Sequence, residues 1–396
     1  MFGNVRLMSL MTRLGVRYIP AVLALLLSKL IYQHQGEQAY ASYALILSFA
    51  ALMPLLDLGF GAWQVQKGAD ASVAKTAILA VPLQLLLALG AIWLLYDGEA
   101  RRGLLVFVSS FAILFPLYMA GRFRYATEPV DRLLQESLGY QLVFYVLCFA
   151  AVGFTTITRT EYSAEIIVAC AICGALAPLA TQGFSIRAFS EIRKAPLVRV
   201  AGRYNLMSSA LIAIVGAWSN QALLTEYGSS AEVVSYDLIW RIVAITMVSQ
   251  IYLQHRLPDF CRHAKNVAAL SDLLRSTARL AVLLSLLQVG AVILLAPLYY
   301  RFVTEATPHW PTIVYALAQA IVFALIIPYN LFLIAKDRIW SLNMMFGLGA
   351  LVSLGGKLVF KEQEGTLTAS AAFGFTAAGY AFSLLIMWIT SKRLLR

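Results

Sequence analysis

The segment LAVLLSLLQVGAVILLAPLYY, residues 280–300, decides what kind of protein this chain forms, because its 21 residues include no charge. An α-helix needs about 20 consecutive apolar residues to cross a hydrocarbon core of about 30 Å. The segment therefore predicts a membrane-spanning helix. Lipid offers no hydrogen-bond partner to an open backbone, so we expect similar neighbouring segments to be helical as well.

The composition of the whole chain agrees with this segment. Its 396 residues are 60% apolar and only 13% charged, with a mean hydropathy of +0.75, whereas soluble domains carry roughly 25% charged residues. A soluble globular protein is excluded. Apolar windows between polar breaks predict about twelve membrane helices, near residues 14–33, 39–58, 74–96, 103–120, 137–157, 164–185, 205–225, 232–252, 280–300, 310–331, 339–357 and 366–390. The predicted fold class is an all-α polytopic membrane protein.

A polar segment, residues 187–204, holds five basic residues and separates six predicted spans from six. We interpret it as a connecting loop between an N-terminal lobe, residues 1–200, and a C-terminal lobe, residues 201–396. Beyond the eighth span, residues 264–275 place Val267, Leu270, Leu273 and Leu274 on one helical face. This spacing predicts a short amphipathic helix lying on the cytoplasmic surface, with a plain solvated connector as the alternative.

Basic residues are divided unevenly between the two sides of the predicted map. With the N-terminus in the cytoplasm, 22 Lys and Arg residues fall on the cytoplasmic side, 6 on the outer side and 3 inside spans. Lys357, at the end of the eleventh window, is counted on the outer side. Because cytoplasmic loops carry the excess of Lys and Arg, both termini are predicted to be cytoplasmic.

Several kinds of chemistry lack the residues that they need. The sequence contains no G-x-x-x-x-G-K-[ST] motif to hold nucleotide phosphates. Its four histidines fall in predicted loops without i, i+4 pairing, so neither a metal site nor a cofactor is predicted. The predicted outer loops are too short for the acceptor site of a membrane glycan polymerase or ligase. A nucleic-acid partner is not predicted either, since the basic residues follow the membrane sides. We therefore expect a protein that is not an enzyme.

Charged side chains inside the predicted spans are the first candidates for function, since inserting one costs about 2.5–3.5 kcal/mol at the centre of a membrane helix. Arg241 lies near the middle of the eighth span, and Asp237 precedes it by four residues on the same face. One interpretation is an ion pair that only neutralises Arg241. The other is a site that exchanges one partner for an anionic ligand or a coupling ion.

Further polar residues enter the predicted spans. Lys29 and Arg17 lie in the first span, where reaching for lipid headgroups is the alternative explanation. Asp57 ends the second span and could instead cap the turn that follows. The uncharged candidates can serve as interhelical hydrogen bonds or line a cavity suited to sugars; they are Asn220, Gln221 and Gln319.

Three stretches give the sequence a family likeness. The first stretch, Asp-Leu-Gly-Phe-Gly at residues 57–61, follows the second span. The second is Ser-Asn-Gln-Ala-Leu-Leu at 219–224, which precedes Gly228 and the Val-Val-Ser-Tyr of 233–236. The third runs from Pro258 to Arg262 and precedes the predicted surface helix. With the two-by-six layout, the chain resembles the polysaccharide and oligosaccharide-lipid flippases of the multidrug/oligosaccharidyl-lipid/polysaccharide exporter superfamily, which include the bacterial O-antigen flippases. It resembles less the peptidoglycan-precursor flippases, which have two further C-terminal spans.

The resemblance implies two six-helix lobes around a central cavity in the bacterial inner membrane. The implied substrate is an undecaprenyl-diphosphate-linked oligosaccharide, moved by alternating access and driven by an H⁺ or Na⁺ gradient. The implied partners are this glycan, membrane lipids and other proteins of polysaccharide and lipopolysaccharide assembly. The candidate substrate contacts are Arg241 first, then Lys29, Arg17, Asn220, Gln221 and Gln319, and the ion-coupling candidates are Asp237 and Asp57.

Three other functions stay open on the sequence. A cation-coupled exporter of small molecules in the same superfamily would favour an acidic cavity, whereas the charges inside these spans are mostly basic. A membrane glycan polymerase or ligase is disfavoured by the short outer loops. A catalytically inert assembly subunit is the third.

Overall fold

The computed structural model describes residues 2–56, 130–158, 186–197, 219–247, 256–336 and 338–395, with isolated positions such as 75, 170 and 253 between them. These residues form α-helices, turns and short connections, and no strand occurs among them. The helices are α1 (Phe2–Leu56), α2 (Val130–Thr158), α3 (Ile186–Lys194), α4 (Ser219–Tyr227), α5 (Ser230–Thr246), α6 (Leu257–Arg262), α7 (Val267–Thr304), α8 (Trp310–Ala335), α9 (Ile339–Glu364) and α10 (Ala369–Leu394).

Five helical segments of the described residues are long and apolar enough to cross a membrane. They are Gln141–Thr158, Val267–Thr304, Trp310–Ala335, Trp340–Glu364 and Ala369–Leu394. The prediction of an all-α polytopic membrane protein is confirmed to this extent. The predicted spans at 74–96, 103–120 and 164–185 lie outside the described residues apart from isolated positions, so the total of twelve stays a prediction.

The chain divides into two compact units, Met1–Leu211 and Ile212–Arg396. The assignment of six spans to each half stays a prediction.

In the first unit, α1 comprises two helices joined at Gly36, whose backbone angles of φ 85° and ψ 179° are not helical. A positive φ of this size favours glycine. Gly36 lies between the first two predicted windows, so the predicted loop there shortens to a tight break.

The polar segment 187–204, predicted as a loop, contains the helix α3. Its Ile192 is buried while the neighbouring residues Glu191 and Arg193 are exposed. The Lys75 ammonium donates to the carbonyls of Arg193 at 2.9 Å and Ala195 at 2.7 Å. A cation at this position satisfies carbonyls that the helix end leaves open. The predicted connecting loop therefore contains a short helix, Ile186–Lys194, and its role as the boundary between two lobes stays a prediction.

The helix predicted at 264–275 forms from Val267 onward, but it is the beginning of a long helix rather than a short helix of its own. These residues lead directly into α7, a continuous helix of 38 residues, which is about 57 Å long at 1.5 Å per residue. Asn266 caps its start by accepting a hydrogen bond from the Ala269 amide at 3.1 Å. Leu270 and Leu274 are buried in the core of the second unit. Leu270 and Leu274 of the predicted apolar face therefore pack against protein, whereas Val267 is 44% exposed.

Small residues bring α9 and α10 together in the second unit. A Cβ added at Gly379 would lie 2.3 Å from the Gly349 carbonyl oxygen, and one added at Gly349 would lie 2.5 Å from the Gly379 carbonyl oxygen. The two backbones therefore touch at this crossing, as is common where small residues face each other in membrane bundles. Below the crossing, the Ser383 hydroxyl donates to the Met345 carbonyl at 3.0 Å.

Candidate functional site

The predicted pair of Asp237 and Arg241 forms on α5. Nε of Arg241 donates to Oδ2 of Asp237 at 2.6 Å, and the two side chains are only 13% and 11% exposed. Residues four apart in an α-helix lie on the same face. The Ser229 hydroxyl fixes the start of this helix by accepting a hydrogen bond from the Glu232 amide at 3.3 Å. The pair is thus a nearly buried charge pair, held by its own helix.

The second unit holds a further buried cation, Lys357, which the sequence map placed outside the membrane. The eleventh window ended at this residue. Instead α9 continues to Glu364, and Lys357 is fully buried. It lies seven residues before the helix end, about 10 Å along the axis. The count of outer basic residues falls from 6 to 5, which leaves the predicted orientation unchanged.

Lys357 belongs to a hydrogen-bonded network from four helices. Its ammonium donates to Oδ1 of Asn220 on α4. The Thr376 hydroxyl on α10 lies 2.9 Å from the same oxygen, and Nδ2 of Asn220 donates to the Tyr236 hydroxyl on α5 at 2.8 Å. All four side chains are buried. We call Lys357, Asn220, Thr376 and Tyr236 the lysine network.

The surrounding contacts hold the network in place. The Tyr236 ring stacks on Phe373 of α10, with ring centroids 4.3 Å apart. At one end of these helices, the Leu367 amide donates to the Tyr227 carbonyl at 2.9 Å, and a Glu232 carboxylate oxygen accepts from the Ala369 amide at 2.6 Å. Since Tyr236 precedes Asp237, α5 carries the lysine network and the charge pair at consecutive positions.

The remaining predicted site residues are distributed as follows. Asn220 forms interhelical hydrogen bonds, which is one of its two predicted roles, and its predicted contact with substrate stays untested. Gln221 and Gln319 are buried, and within the described part of the chain Nε2 of Gln221 and Oε1 of Gln319 have no hydrogen-bond partner. A buried polar atom of this kind calls for water or a polar ligand. In the first unit, Lys29 is half-buried in α1.

Two predicted residues receive no structural test. Arg17 lies in α1, but its side chain is outside the described residues, and so is the whole of Asp57. The structure brings Asp237 together with Arg241 and adds Lys357 to Asn220. The roles predicted for all of these residues remain to be tested.

A sequence signal for the true end of α9 was present. Gly365 follows the helix in the left-handed conformation, with φ 78°, and Thr368 caps α10 by accepting from the Ala371 amide at 3.2 Å. Glycine after a helix and threonine before the next are ordinary boundary residues. Leu358 and Val359 also continue the apolar surface beyond Lys357. The eleventh window ended too early because it was drawn from hydropathy alone, which falls at the charge of Lys357.

Comparison with known proteins tests the family likeness. No protein-family model matches the chain, and no curated protein matches its sequence. Among solved structures, the lipid II flippase MurJ in an inward closed conformation aligns with a TM-score of 0.72 at 10% identity, over 97% of this chain and 87% of that chain. An inward-facing multidrug resistance MATE transporter of the MOP superfamily aligns with a TM-score of 0.67 at 13% identity, over 96% and 98%. The chain has the fold of these transporters.

A third structure with this fold is a MOP superfamily transporter from Pyrococcus furiosus Vc1, described as having a binding pocket of reverse polarity. It aligns with a TM-score of 0.58 at 11% identity, over 97% of this chain and 94% of that chain. MOP is the multidrug/oligosaccharidyl-lipid/polysaccharide superfamily to which the sequence was likened. The likeness is therefore confirmed at the level of the fold, and the similar structures named here are transporters and a flippase rather than enzymes.

Proposed function

We propose that this protein is a flippase that moves an undecaprenyl-diphosphate-linked oligosaccharide across the bacterial inner membrane by ion-coupled alternating access. The observation that carries the proposal is the nearly buried guanidinium of Arg241, in a chain whose fold matches a lipid II flippase. A lipid-linked diphosphate is an anion that must pass the low-dielectric region of the membrane. A guanidinium stays charged there and has the planar fork that matches phosphate oxygens.

Asp237 supplies the coupling in this proposal. Its carboxylate is a partner of the Arg241 guanidinium at 2.6 Å. The diphosphate competes with the Asp237 carboxylate for the Arg241 guanidinium, and H⁺ or Na⁺ competes with the guanidinium for the carboxylate. Because the ion gradient is directed inward and the glycan moves outward, the ion must return through the site after the diphosphate has left, so the two occupy the pair in turn. This exchange requires that the pair can open, and both side chains keep a small exposed fraction, 13% for Arg241 and 11% for Asp237.

The polar residues suit a sugar substrate. Among the described residues, Nε2 of Gln221 and Oε1 of Gln319 have no hydrogen-bond partner, and they offer a donor and an acceptor to hydroxyl groups. Lys29 and Arg17 of the first unit are proposed as further phosphate contacts, and Asp57 as a further ion-coupling residue.

The uneven distribution of basic residues supports an orientation with both termini in the cytoplasm.

The experiment that tests the proposal is deletion of the gene in a strain with a surface glycan. We expect lipid-linked repeat units to accumulate on the inner leaflet and the surface glycan to disappear, as measured by extraction of lipid-linked sugars and by glycan staining. The neighbouring genes should encode glycosyltransferases. Full-length surface glycan in the deletion strain would contradict the proposal.

A second candidate is a cation-coupled exporter of small molecules. The similarity in fold to a multidrug resistance MATE transporter favours it. The two functions are separated by the same deletion strain, because loss of an exporter raises sensitivity to cationic drugs and leaves the surface glycan intact. The mostly basic intramembrane charges, Arg241 and Lys357, argue for an anionic substrate.

A further inference from the structure

The second unit carries a cleft that takes no part in the proposed exchange at Arg241. The cleft lies between α7, α8 and α10 and has a volume of about 510 Å³. Its apolar part is lined by Val282, Leu325, Leu384 and Leu385. Val282 is 48% and Leu385 51% exposed, and both lie on helices that are apolar enough to span a membrane. Lipid chains are therefore the natural solvent of this cleft.

One end of the cleft is aromatic and basic. Arg279, Tyr329 and Trp388 line it. They lie toward the start of α7 and toward the ends of α8 and α10, whereas Val282 and Leu325 lie one turn deeper. The Lys392 ammonium stands 3.7 Å from the centroid of the Trp388 ring. Aromatic rings followed by cations mark the level of the lipid headgroups.

Arg279 differs from the arginine one turn before it. Arg275 pairs with Asp272 at 3.8 Å, and both side chains project into solvent. Arg279 pairs with no carboxylate among the described residues and instead forms part of the cleft wall. The sequence map places this end of the three helices on the cytoplasmic side, where anionic lipid headgroups attract basic residues.

We propose that this cleft binds an anionic phospholipid, with an acyl chain between α7, α8 and α10 and its phosphate at Arg279 and Lys392. The apolar volume recognises the chain, and the two cations recognise the headgroup charge. Basic pockets between membrane helices on the cytoplasmic side bind such headgroups in general. The inference is independent of the proposed function, since any transporter with this cleft would bind the same lipid.

The test uses the full-length protein in vesicles that contain brominated phosphatidylglycerol or brominated phosphatidylcholine. Bromine on the acyl chain quenches the fluorescence of a tryptophan that it touches, and the contribution of Trp388 is the difference between wild type and Trp388→Phe. We expect this contribution to be quenched preferentially by phosphatidylglycerol. Arg279→Gln or Lys392→Gln should each lower the preference about fivefold. The matched control, Arg275→Gln, should leave it unchanged.

Three results would overturn the proposal. The first is equal quenching of Trp388 by the two lipids in the wild type. The second is a preference that neither Arg279→Gln nor Lys392→Gln alters, although both proteins fold as judged by circular dichroism. The third is displacement of the brominated lipid by an equal mole fraction of undecaprenyl diphosphate, which would make the cleft a substrate site.

Discussion

Substitution of Arg241 by glutamine leaves the Asp237 carboxylate in a site where it is only 11% exposed, without the guanidinium that stands 2.6 Å away. Breaking a buried ion pair in this way costs about 3–5 kcal/mol of unfolding free energy. Asp237→Asn leaves the guanidinium in the same position and should cost a similar amount. The double variant Asp237→Asn with Arg241→Gln removes both charges at nearly constant volume. It should therefore lie within about 1 kcal/mol of the wild type.

The measurement is the free energy of unfolding in mixed micelles of a mild detergent and dodecyl sulfate, followed by circular dichroism. The pair of Arg275 and Asp272 provides the control. Its charged atoms lie 3.8 Å apart, and the two side chains are 72% and 79% exposed. Arg275→Gln should cause no measurable change, since water screens such a pair. Surface glycan in a complemented deletion strain gives the second readout for each variant.

The two readouts together refute or support the reasoning. If the double variant loses as much stability as the two single variants added together, the charges do not stabilise each other and the burial argument is wrong. If the double variant is stable but restores no surface glycan, the pair has a transport role. If it restores glycan to the wild-type level, the pair is structural and the proposed exchange with the diphosphate is wrong.

Three further predictions follow from the second unit and the charge map. Lys357→Met and Asn220→Ala should lower the free energy of unfolding non-additively. The expected coupling free energy is about 1.5–3 kcal/mol, as for a hydrogen bond to a charged group. Additive losses would mean that the two side chains do not interact. Gly379→Ala should lower the free energy of unfolding by about 1–3 kcal/mol because its Cβ meets the backbone of α9. The control Gly355→Ala should leave it unchanged, since no atom lies within 4 Å of the added Cβ. Equal unfolding free energies for the two variants would contradict the close crossing. Reporter fusions at the C-terminus and in the 97–102 segment should report the cytoplasm and the outer side, and an external C-terminus would overturn the map.

Features that depend on neighbouring residues were predictable from the sequence. The pair of Asp237 and Arg241 follows from i, i+4 spacing, because the two residues lie about one helical turn apart. The break at Gly36 falls between two apolar windows, and the window 310–331 nearly matches α8. Hydropathy and helical periodicity are local quantities, so they locate local structure well.

Features that depend on distant partners were not predictable. Lys357 looks like the end of a span because a charge is costly in lipid, yet it is buried since Asn220, 137 residues away in sequence, accepts its hydrogen bond. The first turns of α7 have the pattern of a surface helix, but Leu270 and Leu274 find a protein core to pack against. Neither partner is visible from the segment itself.

The proposed movement of a lipid-linked glycan can be measured as flipping in proteoliposomes. Purified protein is reconstituted with a fluorescent undecaprenyl-diphosphate-linked oligosaccharide, and a membrane-impermeant quencher reports how much of it reaches the outer leaflet. We predict translocation that requires the protein, accelerates under an H⁺ or Na⁺ gradient and is lost in the double variant of Asp237 and Arg241. No translocation by the wild type under either gradient, combined with gradient-driven efflux of a cationic drug from the same vesicles, would contradict the proposal.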